Sequence, residues 1–438
     1  MRSGDLPNVL FITSHDTGDW LNCYGHKTVR TPHLDALAAQ GCRFDASFCT
    51  SPVCTPSRGA LMTGRYPQSN GLRGLIQTPY RWRFADGERH LSHLLSEIGY
   101  HTVLFNHQHE AEQENTLGFE ELRIHDVGMT RLLTGERVST AREVADEFRT
   151  FLRDGATAKR PFYAQLGFFE THTAYDWNGA VPDAVNGIEI PPFLVDDEEA
   201  QSHVAALQGS ILSLDDAVGD ILAGLDESGE GGNTIVVFTV DHGVELPHCK
   251  WELYDGGMKT ALLVRWQDGS ISRGETCPWL ISNIDVVPTI LDLIGIPPPQ
   301  NVQGKSFAGF FGSYDDEKPR NSLFAMMHAN QKWIESRCVR TDKHKLIRNF
   351  SPGRATELPT TMGAPKAIQE RPMVELYDLD SDPYELENLA GTEGFAEIRL
   401  DLDKRLHSWM NEVRDPVLEG PIRTPYYDMA ISDFLSSR

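Results

Sequence analysis

Continuous apolar runs alternate along the chain with stretches in which apolar residues recur at helical spacing. The strongest runs are residues 9–13 and 234–240, and the absence of polar alternation in them is typical of strands covered on both faces. Apolar residues of 32–38 and 201–225 instead recur at the helical period. Strands that alternate with helices predict an α/β fold with a large, mostly parallel central sheet flanked by helices.

The same two periodicities predict further elements. Additional strands are expected at 101–105, 162–168, 333–340, 344–350 and 375–378, and additional helices from Ser57, at 91–98, at 286–293 and at 398–413, which closes the chain. Three consecutive prolines at 297–299 mark a boundary between longer and shorter elements. We therefore predict a catalytic domain over 1–310 and a smaller C-terminal α+β subdomain over 311–438, with short antiparallel strands and a terminal helix.

A polar cluster follows each of the two strongest strands. Ser14, His15 and Asp16 follow the first, and Asp241 and His242 follow the second. Ligands of α/β sheets bind outside the carboxyl ends of the strands, so these clusters are expected to form one site. Aspartate is also common in ordinary turns, which is the alternative interpretation of both clusters.

Composition and charge narrow the classes of function. The chain has 438 residues, of which 40% are hydrophobic and 24% charged, as in ordinary globular proteins. Its 40 basic and 63 acidic residues give a net charge of −23, which argues against nucleic-acid and anionic-membrane partners. No apolar stretch approaches the roughly 20 residues of a membrane span. An anionic substrate would therefore need local cations in its binding site.

The seven cysteines predict free thiols rather than a disulfide framework. Their number is odd and no Cys-x-x-Cys pair occurs, which favours a reducing compartment. The first residues are polar and lack the apolar core of an export signal. We expect a cytoplasmic protein, or a periplasmic one if a signal has been removed.

The segment Cys54-Thr-Pro56-Ser-Arg58, followed by Thr63-Gly-Arg65, resembles the signature of the sulfatase family. The resemblance extends over most of the chain and is nearest to the N-sulfoglucosamine sulfohydrolase (heparan N-sulfatase) group. Other matching segments are 8–16, 31–38, 70–75, 240–243, 250–257, 285–291 and 376–389. It implies an alkaline-phosphatase-like fold and the conversion of Cys54 to formylglycine by a formylglycine-generating enzyme.

The resemblance also implies the catalytic chemistry. One hydroxyl of the hydrated aldehyde at position 54 attacks sulfur and forms a covalent sulfo-enzyme, and Arg58 stabilises this group. The metal ligands are His15, Asp16, the Cys54-derived group, Asp241 and His242. His15 departs from the family, whose nearer members have a second aspartate there. Calcium is the first expectation for the metal, and manganese is the alternative because imidazole suits transition metals better.

Four further residues receive roles from the same resemblance. His109 matches a family histidine that contacts sulfate and the catalytic hydroxyl, and His172 matches the candidate general acid near the leaving oxygen. Lys250 matches the cation that binds substrate. His107 is the second departure, because it stands where the family has lysine, and an imidazole there makes turnover more sensitive to pH. Each of these side chains has an ordinary structural role as its alternative.

These residues predict hydrolysis of a sulfate ester or sulfamate. A net charge of −23 favours a small anionic sulfated sugar over a long polyanion. The first alternative is a phosphodiester or phosphonate monoester hydrolase of the same superfamily, which is compatible with Asp241 and His242. The second alternative is a non-catalytic binding protein, suggested by the departures at His15 and His107. The sequence leaves the oligomeric state open.

Overall fold

A computed structural model describes residues 6–124, 139–155, 160–176, 179–269, 271, 273–311, 318–329, 334–352, 357–363 and 371–436. The strands are β1 (Asn8–Ser14), β2 (Cys42–Phe48), β3 (His101–Asn106), β4 (Glu121–Ile124), β5 (Phe162–Gly167), β6 (Thr234–Val240), β7 (Leu262–Arg265), β8 (Glu275–Ser282), β9 (Leu323–Ala329), β10 (Ile334–Arg340), β11 (His344–Asn349) and β12 (Val374–Asp378). The α-helices are α1 (Pro32–Gln40), α2 (Cys54–Thr63), α3 (Pro67–Asn70), α4 (Leu91–Glu97), α5 (Ala141–Arg153), α6 (Glu198–Glu227), α7 (Asp255–Met258), α8 (Val286–Leu293), α9 (Ala396–Glu412) and α10 (Pro425–Ser436).

The central sheet has eight strands in the order β4-β3-β5-β1-β6-β7-β2-β8. All neighbouring pairs are parallel except those of β7, which runs antiparallel to β6 and β2. This confirms the predicted α/β fold with a mostly parallel sheet. Thr13 at the end of β1 pairs with Gly167 at the end of β5, and Ser14 pairs with Val240 of β6. The loops that follow these strands therefore meet at one edge.

Helices cover both faces of the central sheet, which explains the unbroken apolar runs. Leu10 and Ile12 of β1 belong to the core formed with α1, α5 and α6. Val9 and Phe11 point to the opposite core, formed with α2, α4 and α8. Because successive side chains of a strand point to opposite faces, the middle of a central strand between two helical layers is apolar on both faces, and the polar residues of β1 lie at its ends.

A second sheet of four antiparallel strands, in the order β12-β11-β10-β9, confirms the small C-terminal sheet. Helix α9 covers one face of it, where Leu402 and Leu406 pack against Val339 and Leu346. The opposite face packs against apolar residues of β2, β8 and α7. The division of the chain at residue 310 stays a prediction.

Two expectations from the sequence are corrected. Helix α2 begins at Cys54 rather than Ser57, because Val53 is extended and Pro56 is tolerated in the first turn of a helix. The tail ends with α10, which the sequence analysis did not predict, rather than with α9. The predicted start of a strand at Trp333 lies outside the described residues. Within the described part of the chain, no helix combines the length and apolarity that crossing a membrane requires.

Candidate active site

Unusual backbone conformations occur where three neighbouring strands of the central sheet end. The φ angle is 43° at Asp16, which follows β1, and 64° at Asn106, the last residue of β3. It is 76° at Thr171, which follows β5. Such left-handed conformations are costly for residues other than glycine and concentrate at functional sites. Gly167 allows the close approach of this backbone, since a Cβ there would lie 1.7 Å from the His107 carbonyl oxygen. The fold thus positions the side chains at this edge tightly.

Five of the predicted metal-site residues form one buried cluster. His15, Asp16, Cys54, Asp241 and His242 each offer one ligand atom, and these atoms all lie within 4.8 Å of one another. His242 Nε2 lies 3.2 Å from Asp16 Oδ1 and 3.5 Å from Cys54 Sγ. Two carboxylates, imidazole nitrogens and position 54 are a donor set suited to a divalent cation.

The protonation states of the residues in this cluster are also those expected of a cation-binding site. His242 Nδ1 lies 2.9 Å from the Gly243 carbonyl oxygen, which can only accept, so Nδ1 carries the proton and Nε2 has its lone pair towards the carboxylates. Burial alone would raise the pKa of Asp241. The neighbouring imidazoles of His15 and His242 and the positive charge of Arg58 outweigh it and hold that pKa well below its usual range. Ionised carboxylates that face a nitrogen lone pair are stabilised when a cation lies between them.

Cys54 and Arg58 are placed by helix α2. Cys54 is the first residue of the helix and only 3% exposed, and burial raises the pKa of its thiol. Arg58, one turn later and fully buried, donates from Nε to Asp241 Oδ2 at 3.0 Å and from Nη2 to the Ser14 carbonyl oxygen at 3.1 Å. Arg58 therefore fixes Asp241 and the end of β1 next to position 54.

Lys250 and His172 lie on the other side of Asp16. Lys250 Nζ lies 2.6 Å from Asp16 Oδ2, 3.5 Å from His172 Nε2 and 3.1 Å from Glu245 Oε2. Burial alone would lower the pKa of Lys250, but the negative charges of Asp16 and Glu245 raise it, so the side chain stays cationic. Burial and Lys250 lower the pKa of His172. Glu245, which the sequence analysis did not identify, completes this group.

His107 and His109 lie beside His15, which belongs to the buried cluster described above. One nitrogen of each of the three imidazoles lies within 4.8 Å of the others, and the ring centroids of His15 and His107 are 5.1 Å apart. His109 Nε2 lies 3.0 Å from Gln77 Oε1. All ten residues proposed from the sequence therefore lie together at the carboxyl edge of the sheet, and their chemical roles stay predictions.

Comparison with known proteins identifies the family. The sequence profile of the family described as "Sulfatase" matches residues 7–296. The chain belongs to the sulfatase family. It is therefore a sulfuric ester hydrolase. A second profile, described as "N-sulphoglucosamine sulphohydrolase, C-terminal", matches residues 248–412 of this sulfatase.

Two curated relatives of this sulfatase span nearly its whole length. An ulvan-active sulfatase of Formosa agariphila is 26% identical over 95% of this chain and 76% of its own. The N-sulphoglucosamine sulphohydrolase of Homo sapiens is 27% identical over 94% of this chain and 92% of its own. Both relatives are sulfatases, in agreement with the family profile.

Solved structures share the fold of this sulfatase. A putative sulfatase from Bacteroides fragilis superposes with a TM-score of 0.77 at 22% identity, over 95% of this chain and 98% of that one. A protein solved with its substrate D-glucosamine-2-N,6-O-disulfate gives a TM-score of 0.75 at 19% identity, over 94% and 99%. A phosphonate monoester hydrolase from Silicibacter pomeroyi gives 0.70 at 19% identity, over 96% and 99%. The fold alone thus accommodates more than one reaction.

An aromatic cavity of about 340 Å³ adjoins the sulfatase active site. Val53, directly before Cys54, and Trp251, directly after Lys250, both line it. The other lining residues are Gly74, Leu75, Pro79, Tyr80, Trp82, His328, Thr424 and Tyr426. The sequence analysis did not identify these aromatic residues, and the only available signal was that Trp251 directly follows Lys250.

Proposed function

We propose that this sulfatase hydrolyses a sulfate ester or sulfamate on a small sulfated sugar. It would use a formylglycine made from Cys54 and one divalent cation, and would pass through a covalent sulfo-enzyme. The observation that carries the proposal is the position of Cys54. It lies at the start of a buried helix with its Sγ 3.5 Å from His242 Nε2, within the cluster that also contains Asp16 and Asp241. No other described cysteine belongs to such a cluster.

The cation would be held by Asp16, Asp241 and His242 beside position 54, and His15, the other member of this cluster, would support it through the hydrogen bond from Nδ1 to Asp16. When bound, the cation would neutralise the anionic oxygens of the sulfate group, and the formylglycine would supply a hydroxyl nucleophile for sulfur. The two carboxylates favour calcium, and the imidazole of His242 makes manganese the alternative.

Side chains of this protein would act on both sides of the bond that breaks, between the sulfur atom and the leaving group. Arg58 holds Asp241, and Lys250 holds Asp16, so both carboxylates are fixed before substrate binds. His172 Nδ1 lies 2.5 Å from the Thr173 carbonyl oxygen, which leaves Nε2 as the nitrogen that faces Lys250. This pair, with 3.5 Å between Nε2 and Nζ, would hold the proton that the leaving oxygen needs. His107 and His109 would orient the sulfate group.

The cavity and the charge support a small sugar as substrate. Aromatic walls such as Trp82, Tyr80 and Trp251 suit the apolar face of a sugar ring, and the cavity opens beside Cys54 and Lys250. The relatives that are an ulvan-active sulfatase and an N-sulphoglucosamine sulphohydrolase point to the same substrate class. We also propose the cytoplasm as its compartment, because none of the seven cysteine positions forms a disulfide.

The first test is the mass of the tryptic peptide 44–58. Because the α2 residues are buried, the protein must be co-expressed with a formylglycine-generating enzyme rather than treated after folding. We expect an aldehyde or its hydrate at position 54 and an unchanged thiol at Cys49, which lies in the same peptide and serves as the internal control. A thiol at position 54, when a control sulfatase is modified in the same cells, would contradict the mechanism and favour a non-catalytic binding protein.

The second test is a substrate panel with the modified enzyme. Sulfated monosaccharides, an N-sulfated glucosamine, a phosphodiester and a phosphonate monoester are compared by kcat/KM. We expect a sulfated sugar to be turned over fastest. Turnover of the phosphodiester or phosphonate well above that of every sulfate would overturn the proposal. It would favour the alternative, a phosphodiester or phosphonate monoester hydrolase, with which the pair Asp241 and His242 is compatible.

A further inference from the structure

The two positions at which the chain departs from the sulfatase pattern are neighbours in space. These positions are His15 and His107, for which the resemblance implies an aspartate and a lysine in the family, and their ring centroids are 5.1 Å apart. His109 lies against both, with centroids 6.4 Å from His15 and 5.7 Å from His107. All three imidazoles are at most 3% exposed. The three buried imidazoles thus form one group of potential metal ligands.

The hydrogen bonding of His15 shows which nitrogen faces this group. Its Nδ1 lies 2.6 Å from Asp16 Oδ1, an oxygen of an ionised carboxylate, so Nδ1 donates and Nε2 keeps its lone pair in the neutral ring. Nε2 is buried and has no hydrogen-bond partner among the described residues. An unsatisfied buried polar atom is costly, and a metal ion would satisfy it. A histidine that binds a metal through one nitrogen commonly donates from the other to a carboxylate.

His109 has the same kind of support. Its Nε2 lies 3.0 Å from Gln77 Oε1, an amide oxygen that only accepts, so Nε2 carries the proton and Nδ1 has the lone pair. His107 is fixed through its backbone by the left-handed conformation of Asn106 and by the contact with Gly167. One nitrogen from each ring lies within 4.8 Å of the other two. Small side-chain rotations would bring all three nitrogens within bonding distance of a common ion.

We propose that His15, His107 and His109 form a second metal site, which binds a zinc-type transition-metal ion. Three neutral imidazoles suit zinc and disfavour calcium, which requires oxygen ligands. The hard cation belongs to the carboxylates of Asp16 and Asp241, and His15 joins the two sites, as a ligand of one and a hydrogen-bond donor to a ligand of the other. A dication on neutral ligands also restores the positive charge that a lysine at position 107 would have provided. A zinc ion with three protein ligands retains one position for an anionic oxygen.

The test measures metal binding directly and needs neither formylglycine nor turnover, so its outcome is independent of the proposed function. The full chain is stripped of metal and dialysed against Zn²⁺ in the presence of excess Ca²⁺, and bound zinc is counted by mass spectrometry. We expect one zinc equivalent that calcium does not displace. Co²⁺ in its place should give the intense visible absorption of a four-coordinate ion.

Variants assign that zinc to its ligands. His107→Ala and His109→Ala should each weaken zinc binding by roughly 100-fold or more, and Gln77→Ala by about 10- to 100-fold through loss of its hydrogen bond to His109. Asp241→Asn, which damages the carboxylate site, should keep the zinc. His407→Ala removes an exposed histidine of α9 and is the matched control.

Two results would overturn the second site. The first is wild-type protein that retains no zinc in excess calcium. The second is a zinc that Asp241→Asn loses and His107→Ala keeps, because that zinc would belong to the carboxylate cluster. His107→Lys restores the family residue and the charge without a ligand. It should therefore lose zinc, while the thermal unfolding midpoints of the metal-free variant and the metal-free wild type stay close together, which separates metal binding from folding.

Discussion

At the scale of single residues, the active site is organised by two buried ion pairs. Arg58 pairs with Asp241 at 3.0 Å and Lys250 pairs with Asp16 at 2.6 Å. Removal of one partner from such a pair leaves an uncompensated buried charge, so neither carboxylate is free to move. His172 lies outside both pairs, with its Nε2 3.5 Å from Lys250 Nζ and 4.0 Å from Asp16 Oδ2. We therefore expect His172 to act on the leaving group.

Substitution His172→Gln tests this role through the leaving group of the substrate. A sugar alkoxide leaves only when protonated, so we expect kcat on a sulfated sugar to fall by roughly 100-fold or more. An aryl sulfate with a stable phenolate should lose less than about tenfold. The measurement is kcat for both substrates, with His407→Gln on the exposed face of α9 as the control. Equal losses on the two substrates would assign His172 to substrate positioning instead.

Single residues were predictable from sequence where a dense motif carried them. Cys54, Arg58, Asp16 and Asp241 follow strong signals, and the structure places them together. Gln77 lies in a loop between α3 and α4 and meets His109 only through the fold. A contact made by one residue from a long connection has no periodicity or motif to reveal it.

At the scale of elements, a buried ion cluster joins the small sheet to the segment that carries Lys250. Asp255, at the start of α7, accepts from Arg340 Nη2 of β10 at 2.8 Å and from Lys345 Nζ of β11 at 2.6 Å. Burial alone would raise the pKa of Asp255, but the two cations together hold it well below its usual range. The cluster therefore fixes the C-terminal sheet against the active-site loop.

Substitution Asp255→Asn should destabilise the protein by about 3–5 kcal/mol, because two buried cations lose their shared partner. The free energy of unfolding from denaturant titration measures this. Because the folded pKa lies below the unfolded value, the wild-type contribution is present above a pH of about 4 and is lost as the pH falls further. The free energy of unfolding of the variant should therefore fall less steeply than that of the wild type as the pH decreases below about 4.

Asp380→Asn is the matched control for this prediction. Asp380 pairs with Lys343 at 3.7 Å next to the same small sheet, but both side chains are about two-thirds exposed, at 65% and 70%. We expect a change below about 1 kcal/mol there. Equal effects of the two substitutions would show that the Asp255 cluster does not clamp the sheet.

The strands of the central sheet differ in how well the sequence predicts them. Strands β1 and β6 are buried throughout and carry unbroken apolar runs, Val9–Ile12 and Ile235–Phe238, because helices cover both faces of the sheet, so their pattern stands out. Strands β2 and β8 lie at the far edge of the sheet, and β8 contains Pro278, which only an edge strand tolerates easily. Their mixed polarity matches no single period. Strand β7 has only four residues, too few to show a pattern.

At the scale of the whole molecule, the net negative charge of the protein repels the proposed anionic substrate. The net charge is −23, and the two cations beside the metal cluster, Arg58 and Lys250, are already paired with carboxylates. Attraction of a sulfate group must therefore come from the proposed cations inside the pocket, over a short range. A monosaccharide brings one or two charges into the pocket, whereas a sulfated polymer also lays many charges against the acidic surface.

This contrast predicts opposite responses to salt for the two kinds of substrate. The rate on a sulfated polysaccharide should be low at low ionic strength and rise as salt is added, because salt screens the repulsion between polymer and protein. The rate on a sulfated monosaccharide should change far less, which makes it the control for direct effects of salt on the active site. The measurement is kcat/KM for each substrate as ionic strength increases. A polymer rate that falls steadily with added salt would instead require a basic path across the surface, and would shift the natural substrate from a small sugar to a long chain.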